Sequence, residues 1–497
     1  MTTQKKSTEV GFPLYMTLCA TIAAFSGFQV GWAIGVPNMP QSAISQCTGG
    51  DSHSSLPACL PMSDFSWGYT IAAYPIGGVF GSFLSMYSNV WLGRRHNIMV
   101  TCVLFIIGNV ISAVSINVPM YSIGRAIVGI AAGMCGSSVA IYVSEISTNK
   151  ARGALGSLFE LFLNAGVLFT QVCGLYMSYD PLWRFLWGIS AILAAIQMGL
   201  LFLFTVECPR RLCANKEYDR AAAALQKLRG GADVEEEFAA LLAARQREVE
   251  SAVPTMSIWD ILTCKNKHIT WHTVIIMVIQ AYNQAGGIGP MSVYSVGFFT
   301  KIFNGDTKQA TTLSLVDGAV NTLATLVSVM FVHRLGRKNL MMASLLGCTL
   351  GCILMVVGAH NPNLGGVIIA AAIIYIGTYS LGCGVIPWFI APELVPMHAL
   401  ASASALGSAS NWLMNFIINI LWPYMAANLG DNAFIVFIAI NFVGFVFILF
   451  FMPETTGKGL DDEDEKTPGA ETITESGNGS SHSVEKQEKK EVEYLET

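Results

Sequence analysis

Charge is what this sequence has least of. Only 12% of its 497 residues are Asp, Glu, Lys or Arg, about half of the roughly 25% usual in a soluble domain. That scarcity excludes an ordinary soluble domain and, for most of the chain, intrinsic disorder, which goes with high charge. The net charge of -5 leaves no basic footprint for nucleic acid. None of the twelve cysteines stands in a C-x-x-C pair, which removes thioredoxin-like chemistry and the usual zinc ribbon. Neither a catalytic triad nor a metal-ligand cluster is recognisable, so no enzyme, metal or cofactor is expected.

Long apolar runs are what the chain has instead. Hydrophobic residues make up 53%, with 47 glycines, a composition suited to closely packed membrane helices. No charged residue occurs in 10–50, 65–93, 96–124, 126–144, 185–206, 268–300, 339–392 or 394–430. A spanning helix needs about 20 residues. Twelve such pieces fit, near 12–36, 66–90, 97–118, 120–144, 155–179, 185–206, 271–298, 311–333, 339–359, 365–391, 400–425 and 432–452. The first run is too long for a signal peptide and lacks a convincing cleavage pattern, so it reads as the first span. Placing both termini in the cytoplasm puts all Lys and Arg inside except Arg125, Arg184, Lys301 and Lys308, as the positive-inside rule requires.

The expected fold is an all-α membrane protein of twelve transmembrane helices in two six-helix pseudo-repeats, with a cytoplasmic helical linker. The divisions are a cytoplasmic N-terminus over 1–10, a bundle over 11–206, a linker over 207–270, a second bundle over 271–453, and a tail over 454–497. Within the linker, Tyr218–Leu228 and 235–250 read as polar helices, the first stopped by Gly230-Gly231. The tail is acidic, rich in Ser, Gly and Lys, and reads as disordered after about 460. Its Asn478-Gly-Ser480 sequon would face the cytoplasm, where it is not used.

The halves repeat each other. Gly93-Arg94-Arg95 follows span two and Gly336-Arg337-Lys338 follows span eight. Glu145 with Arg152 follows span four and Glu393 follows span ten, with Leu400 where the second Arg would stand. Glu207-Cys-Pro-Arg210 follows span six and Pro453-Glu454 follows span twelve. Three motifs in one order at a nearly constant offset indicate duplication. Paired halves imply a site near the midplane that is reached alternately from each side. Arg–carboxylate pairs among Arg94, Arg95, Glu145, Arg152, Glu207, Arg210, Arg337, Glu393 and Glu454 could lock the inner helix ends. Positive-inside anchoring alone explains the arginines but not the acids. The missing Arg at Leu400 makes the second-half network the weaker one. Cys47 and Cys59 fall in the first outer loop, where a disulfide is permitted; two free thiols are the alternative.

These residues carry a family resemblance. Span one reads Phe25-Ser-Gly-Phe-Gln29-Val-Gly31-Trp-Ala-Ile-Gly35-Val-Pro-Asn38. Gly124-Arg125 opens span four and Ala151-Arg152-Gly153-Ala154-Leu-Gly156 opens span five. Pro387-Trp388-Phe389-Ile390, Asn411-Trp412 and Pro453-Glu454-Thr455 mark spans ten, eleven and twelve. From about Gly11 to Leu460 the set resembles the sugar-porter branch of the major facilitator superfamily. The animal facilitative glucose transporters are nearer in pattern than the proton-coupled sugar carriers. The resemblance implies carbohydrate transport with a small sugar and the lipid bilayer as partners, and no nucleic acid. No motif sets an oligomeric state. A multi-pass protein of the plasma membrane is expected ahead of vacuolar or other endomembranes.

The resemblance also implies the binding positions Gln280, Asn283, Gln284, Asn321, Trp388 and Asn411. The chemistry is sound on its own. Uncharged amides both donate to and accept from sugar hydroxyls, and an indole covers the apolar face of a pyranose. Interhelical bonding is the alternative role for a single intramembrane amide. Glu160 stands where the family usually has Gln, and Asn164 lies one turn later. Gly289 replaces a family Asn, and Ser380 replaces a common Glu. Proton-coupled relatives carry an Asp in span one, where this chain has Ala33. Passive uniport of a monosaccharide, a hexose first, is therefore the leading expectation. Proton symport of a sugar or polyol through Glu160 is the rival. A transporter-like nutrient sensor is a third reading, set back by the short charged tail.

Overall fold

The computed structural model describes residues 11–45, 56–148, 150–180, 182–250, 255–293, 299–300, 305–361 and 365–455. Among them there are helices and no strands. In chain order the principal helices are α1 (Leu14–Ala24), α2 (Ser26–Gly35), α3 (Asp64–Leu92), α4 (Arg94–Ala113), α5 (Val118–Ile146), α6 (Leu158–Met177) and α7 (Trp183–Phe204). After them come α8 (Tyr218–Leu228), α9 (Glu235–Glu250), α10 (Lys267–Ala285), α11 (Thr307–Leu335), α12 (Arg337–Ala359), α13 (Gly365–Leu381), α14 (Met397–Leu429) and α15 (Phe434–Phe451).

A helix occupies each of the twelve expected span positions. Nine among the described residues are long and apolar enough to cross a membrane, counting α1 and α2 as one. The remaining three are α3, α10 and α14, and their sequences explain why. α14 carries Ser402, Ser404, Ser408, Ser410, Asn411, Asn415 and Asn419. α3 packs on α14, and α14 packs on α10. Helices that face protein rather than lipid tolerate polar side chains. α10 is also short, because Gly287 (φ +107°) ends the helical path before Ile288–Val293. It starts at Lys267 instead of near 271, because the Asn266 side chain accepts from the N–H groups of His268 and Ile269 and caps it. The chain is an integral multi-pass membrane protein.

Two large apolar cores form. One draws on residues from Met16 to Leu228, the other on residues from Ile275 to Met452. Trp388 and Trp412 come from the second half of the chain but pack in the first core. Helix packing in lipid depends on close fit more than on water exclusion, and glycines supply it here. A methyl at Gly27 or Gly31 of α2 would overlap the Phe159 or Leu163 carbonyl at the start of α6. The α3–α5 crossing is as tight at Gly77, Gly81, Gly129 and Gly133.

The linker helices cover the expected residues. Arg229 ties them to the first half: it donates to the Ile146 carbonyl at 2.9 Å and pairs with Glu237 at 2.6 Å. The far end of the linker is tied to the second half. The Met256 N–H donates to the His398 carbonyl at 3.0 Å, and the Ser402 hydroxyl donates to the Met256 carbonyl at 2.6 Å. Cys59 is disulfide-bonded; Cys47 and the tail beyond Thr455 lie outside the described residues.

Candidate functional site

The broken middle of span seven places the amides. Where α10 ends, backbone carbonyls lose their helical partners. The Tyr379 hydroxyl donates to the Asn283 carbonyl at 3.0 Å. The Gly286 carbonyl accepts from the Tyr375 hydroxyl at 2.9 Å and the Asn441 amide at 3.1 Å. Span ten is broken too, between Leu381 and a 3-10 turn at Ile386–Trp388. Its freed carbonyls meet α10: the Gln280 amide donates to Pro387 at 2.7 Å, and the Asn283 amide donates to Cys383 at 2.8 Å. Discontinuous helices are where transporters of this architecture hold their substrates.

Four of the expected residues form one network. The Asn411 amide donates to Gln280 Oε1 at 3.1 Å and to Asn283 Oδ1 at 2.9 Å. The Gln284 amide donates to Asn283 Oδ1 at 2.8 Å and to Asn411 Oδ1 at 3.3 Å. Gln284 Oε1 accepts from Asn415 at 2.9 Å, and Asn415 Oδ1 accepts from Asn419 at 2.7 Å. Sequence reasoning named Asn411 and missed Asn415 and Asn419. The signal was present: three asparagines four apart share one helical face.

Trp388 and Glu160 adjoin each other on the first-half side. The Trp388 ring packs on Phe159 with centroids 5.2 Å apart. It also lines a narrow crevice with Gly136, Ser137, Gln280, Ser404 and Ser408. Glu160 is buried; its Oε1 accepts from the Asn164 amide at 3.2 Å, and its Oε2 has no partner. The Trp388 indole adjoins it, short of hydrogen-bond geometry. The Asn164 amide also donates to the Thr325 hydroxyl of α11 at 2.9 Å, linking the halves. Asn321 stands apart from the amide network and accepts from the Ser380 hydroxyl at 2.7 Å.

Arg125 is buried without an acid partner among the described residues. Its guanidinium donates to the Ala33 carbonyl at 2.6 Å and lies 4.7 Å from the Tyr74 ring centre and 5.5 Å from that of Trp187. A carbonyl and two π faces take the place of a carboxylate.

At the helix ends that carry the repeated motifs, each half builds its own charge network. Arg94 pairs with Glu145 at 2.8 Å. Arg337 holds Glu393 with two bonds, Nη2 to Oε1 at 2.9 Å and Nε to Oε2 at 3.2 Å. The second network is thus two-pronged despite Leu400, which is buried in the core. Glu207 accepts from the N–H groups of Arg94 and Arg95, each at 3.1 Å. Glu454 accepts from those of Arg337 at 2.9 Å and Lys338 at 3.2 Å. Arg95 donates to the Leu201 and Phe202 carbonyls instead of to an acid. Arg152 opens the short helix Arg152–Gly156, and Arg210 lies in Pro209–Ala214.

Residues 19–466 match the family model described as "Sugar (and other) transporter". The chain belongs to this family. Among sugar-transporter relatives it is 32% identical over 462 residues to facilitated glucose transporter member 3 of solute carrier family 2 from Oryctolagus cuniculus, covering 90% of this chain and 91% of that one. The Homo sapiens protein of the same name is 31% identical over 458 residues, covering 89% and 90%. In three dimensions the chain resembles the major facilitator superfamily proton:xylose symporter XylE bound to 6-bromo-6-deoxy-D-glucose. That likeness has a TM-score of 0.77 at 21% identity, covering 90% of this chain and 98% of that one. XylE from E. coli in a partially occluded inward-open conformation gives 0.73 at 21%, covering 90% and 99%. The fold is that of the major facilitator superfamily.

Proposed function

We propose that this protein carries a monosaccharide, a hexose first, across the plasma membrane by alternating access, with both termini in the cytoplasm. The amide network of Gln280, Asn283, Gln284 and Asn411 beside Trp388 carries the reading. Each amide both donates and accepts, so sugar hydroxyls can replace amide–amide bonds one for one. The family relationship and the names of the relatives, glucose transporters among them, point the same way.

Facilitative uniport is the mechanism best supported. Arg125 meets the Ala33 carbonyl and two aromatic faces, and no acid among the described residues, so no carboxylate is engaged there. A second reading, proton symport, draws on Glu160, whose Oε2 lacks a partner in the buried interior. The test is uptake of radiolabelled hexoses, pentoses and polyols into proteoliposomes with and without an inward proton gradient. Uniport gives equilibration in both. Concentrative uptake under the gradient overturns it, and failure to move any of these compounds overturns sugar transport itself.

A further inference from the structure

Span eight contains an acid that neither the charge patterning nor the inner-rim motifs accounted for. Asp317 lies in α11 one helical turn before Asn321. It is only 3% exposed, and neither of its carboxylate oxygens has a hydrogen-bond partner. The next residue, Gly318, meets α6: a methyl there would sit 2.7 Å from Gln171 Oε1. That oxygen is also buried and without a partner. No donor among the described residues bonds either Asp317 oxygen or the Gln171 oxygen.

Among the described residues, no cation from the elements packed on α11 pairs with Asp317. From α6 come Glu160, bonded to Asn164, and Cys173. From α13 come Tyr375 and Tyr379, whose hydroxyls serve the Gly286 and Asn283 carbonyls. From α12 come Cys348 and Cys352, which are buried thiols, and Arg337, which is held by Glu393. Arg152 stands at the inner start of the short helix before α6. A charged carboxylate buried without partner or cation is strongly disfavoured. Protonation removes the charge and supplies the missing donor.

Depth decides where the proton comes from. Asp317 is ten residues from Thr307 and eighteen from Leu335. At 1.5 Å per residue that is about 15 Å from the outer end of α11 and about 27 Å from the inner end. We propose that Asp317 is a proton-binding site served from the outer solution. The carboxylate takes up one proton when the outer part of α11 closes against α6, and it returns that proton to the same side when the contact opens. The proton is not carried across. It sets how readily the outer side closes, so sugar uptake depends on external pH without sugar being concentrated.

Two measurements test this on the full-length protein. Infrared spectra of the purified protein in lipid should show a carboxylic-acid C=O band, part of which disappears in Asp317→Asn and is retained in Glu160→Gln. This readout stands whether or not the substrate is a hexose. An acid band identical in the wild type and Asp317→Asn overturns the proposal. The second measurement is D-glucose uptake into right-side-out vesicles, with internal pH fixed and external pH varied. Wild-type uptake should fall as external pH rises, by up to about tenfold per unit once the acid form is the minority, because only that fraction is competent. Asp317→Asn should show a flat profile. Equal profiles in the two proteins overturn the proposal.

Discussion

Glu207 and Glu454 perform the same task in the two halves. Each carboxylate accepts the N–H groups of the first two residues of a helix, α4 in one half and α12 in the other. The glycine before each helix has φ near +85°, at Gly93 (85°) and Gly336 (84°), a region that only glycine enters freely. A side chain there would also press on the acid, at 2.7 Å from Glu207 Oε2 and 2.6 Å from Glu454 Oε2. An anion at a helix N-terminus is favoured by the exposed N–H groups and the helix dipole. The duplicated motif thus fixes a helix start as well as a charge pair.

Glu393→Gln should destabilise the folded protein. It leaves Arg337, which is 5% exposed at its side chain, without its paired charge. Breaking one side of a buried ion pair costs about 3–5 kcal/mol. Thermal unfolding in detergent should show a lowered midpoint, and Arg337→Lys should lower it too, because a single ammonium cannot reproduce the two-pronged grip. An unchanged midpoint in both variants would reduce the pair to surface anchoring.

Gln284→Ala should weaken sugar binding. It removes an acceptor for Asn415 and a donor to Asn283 and Asn411. Loss of a buried partner costs about 1–3 kcal/mol, or roughly a 5- to 150-fold weaker affinity. Equilibrium sugar binding to purified protein checks it. Unaltered affinity at normal expression would return Gln284 to a helix-joining role.

Glu160→Gln should still transport sugar. The amide retains an acceptor for Asn164, loses the charge and puts an NH2 donor in place of the second oxygen. Neither protein should accumulate sugar beyond equilibration under an imposed pH gradient. If the wild type accumulates sugar under the gradient and the Gln variant only exchanges it, Glu160 carries the proton.

Gly31→Ala should prevent folding, because the added methyl meets the backbone of Leu163, which cannot yield as a side chain can. Gly199→Ala in α7, where the same atom meets nothing within 4 Å, is the control. Membrane-fraction protein level reads both variants. Equal amounts would mean that α2 and α6 can separate without loss.

The span positions, the linker helices and the repeated rim were legible because each depends on local chemistry: runs free of charge, Gly-Gly stops, and motifs repeated in order. The partners were less so. Nothing in the chain announces that Arg95 binds carbonyls, or that Asn321 pairs with Ser380 apart from the amide network. Those outcomes depend on how helices far apart in sequence cross. Asp317 was missed for a simpler reason. Span eight is not among the charge-free runs, and Asp317 lies outside the repeated motifs, so neither signal points to it.

The contacts that join the halves through the membrane are neutral at Ser82–Ser408, Asn164–Thr325, Tyr74–Trp412 and Phe159–Trp388. Neutral contacts such as these give dissolved salt nothing to screen. Turnover should therefore stay level between dilute and concentrated potassium chloride. It should respond instead to bilayer thickness, which strains tilted helices directly.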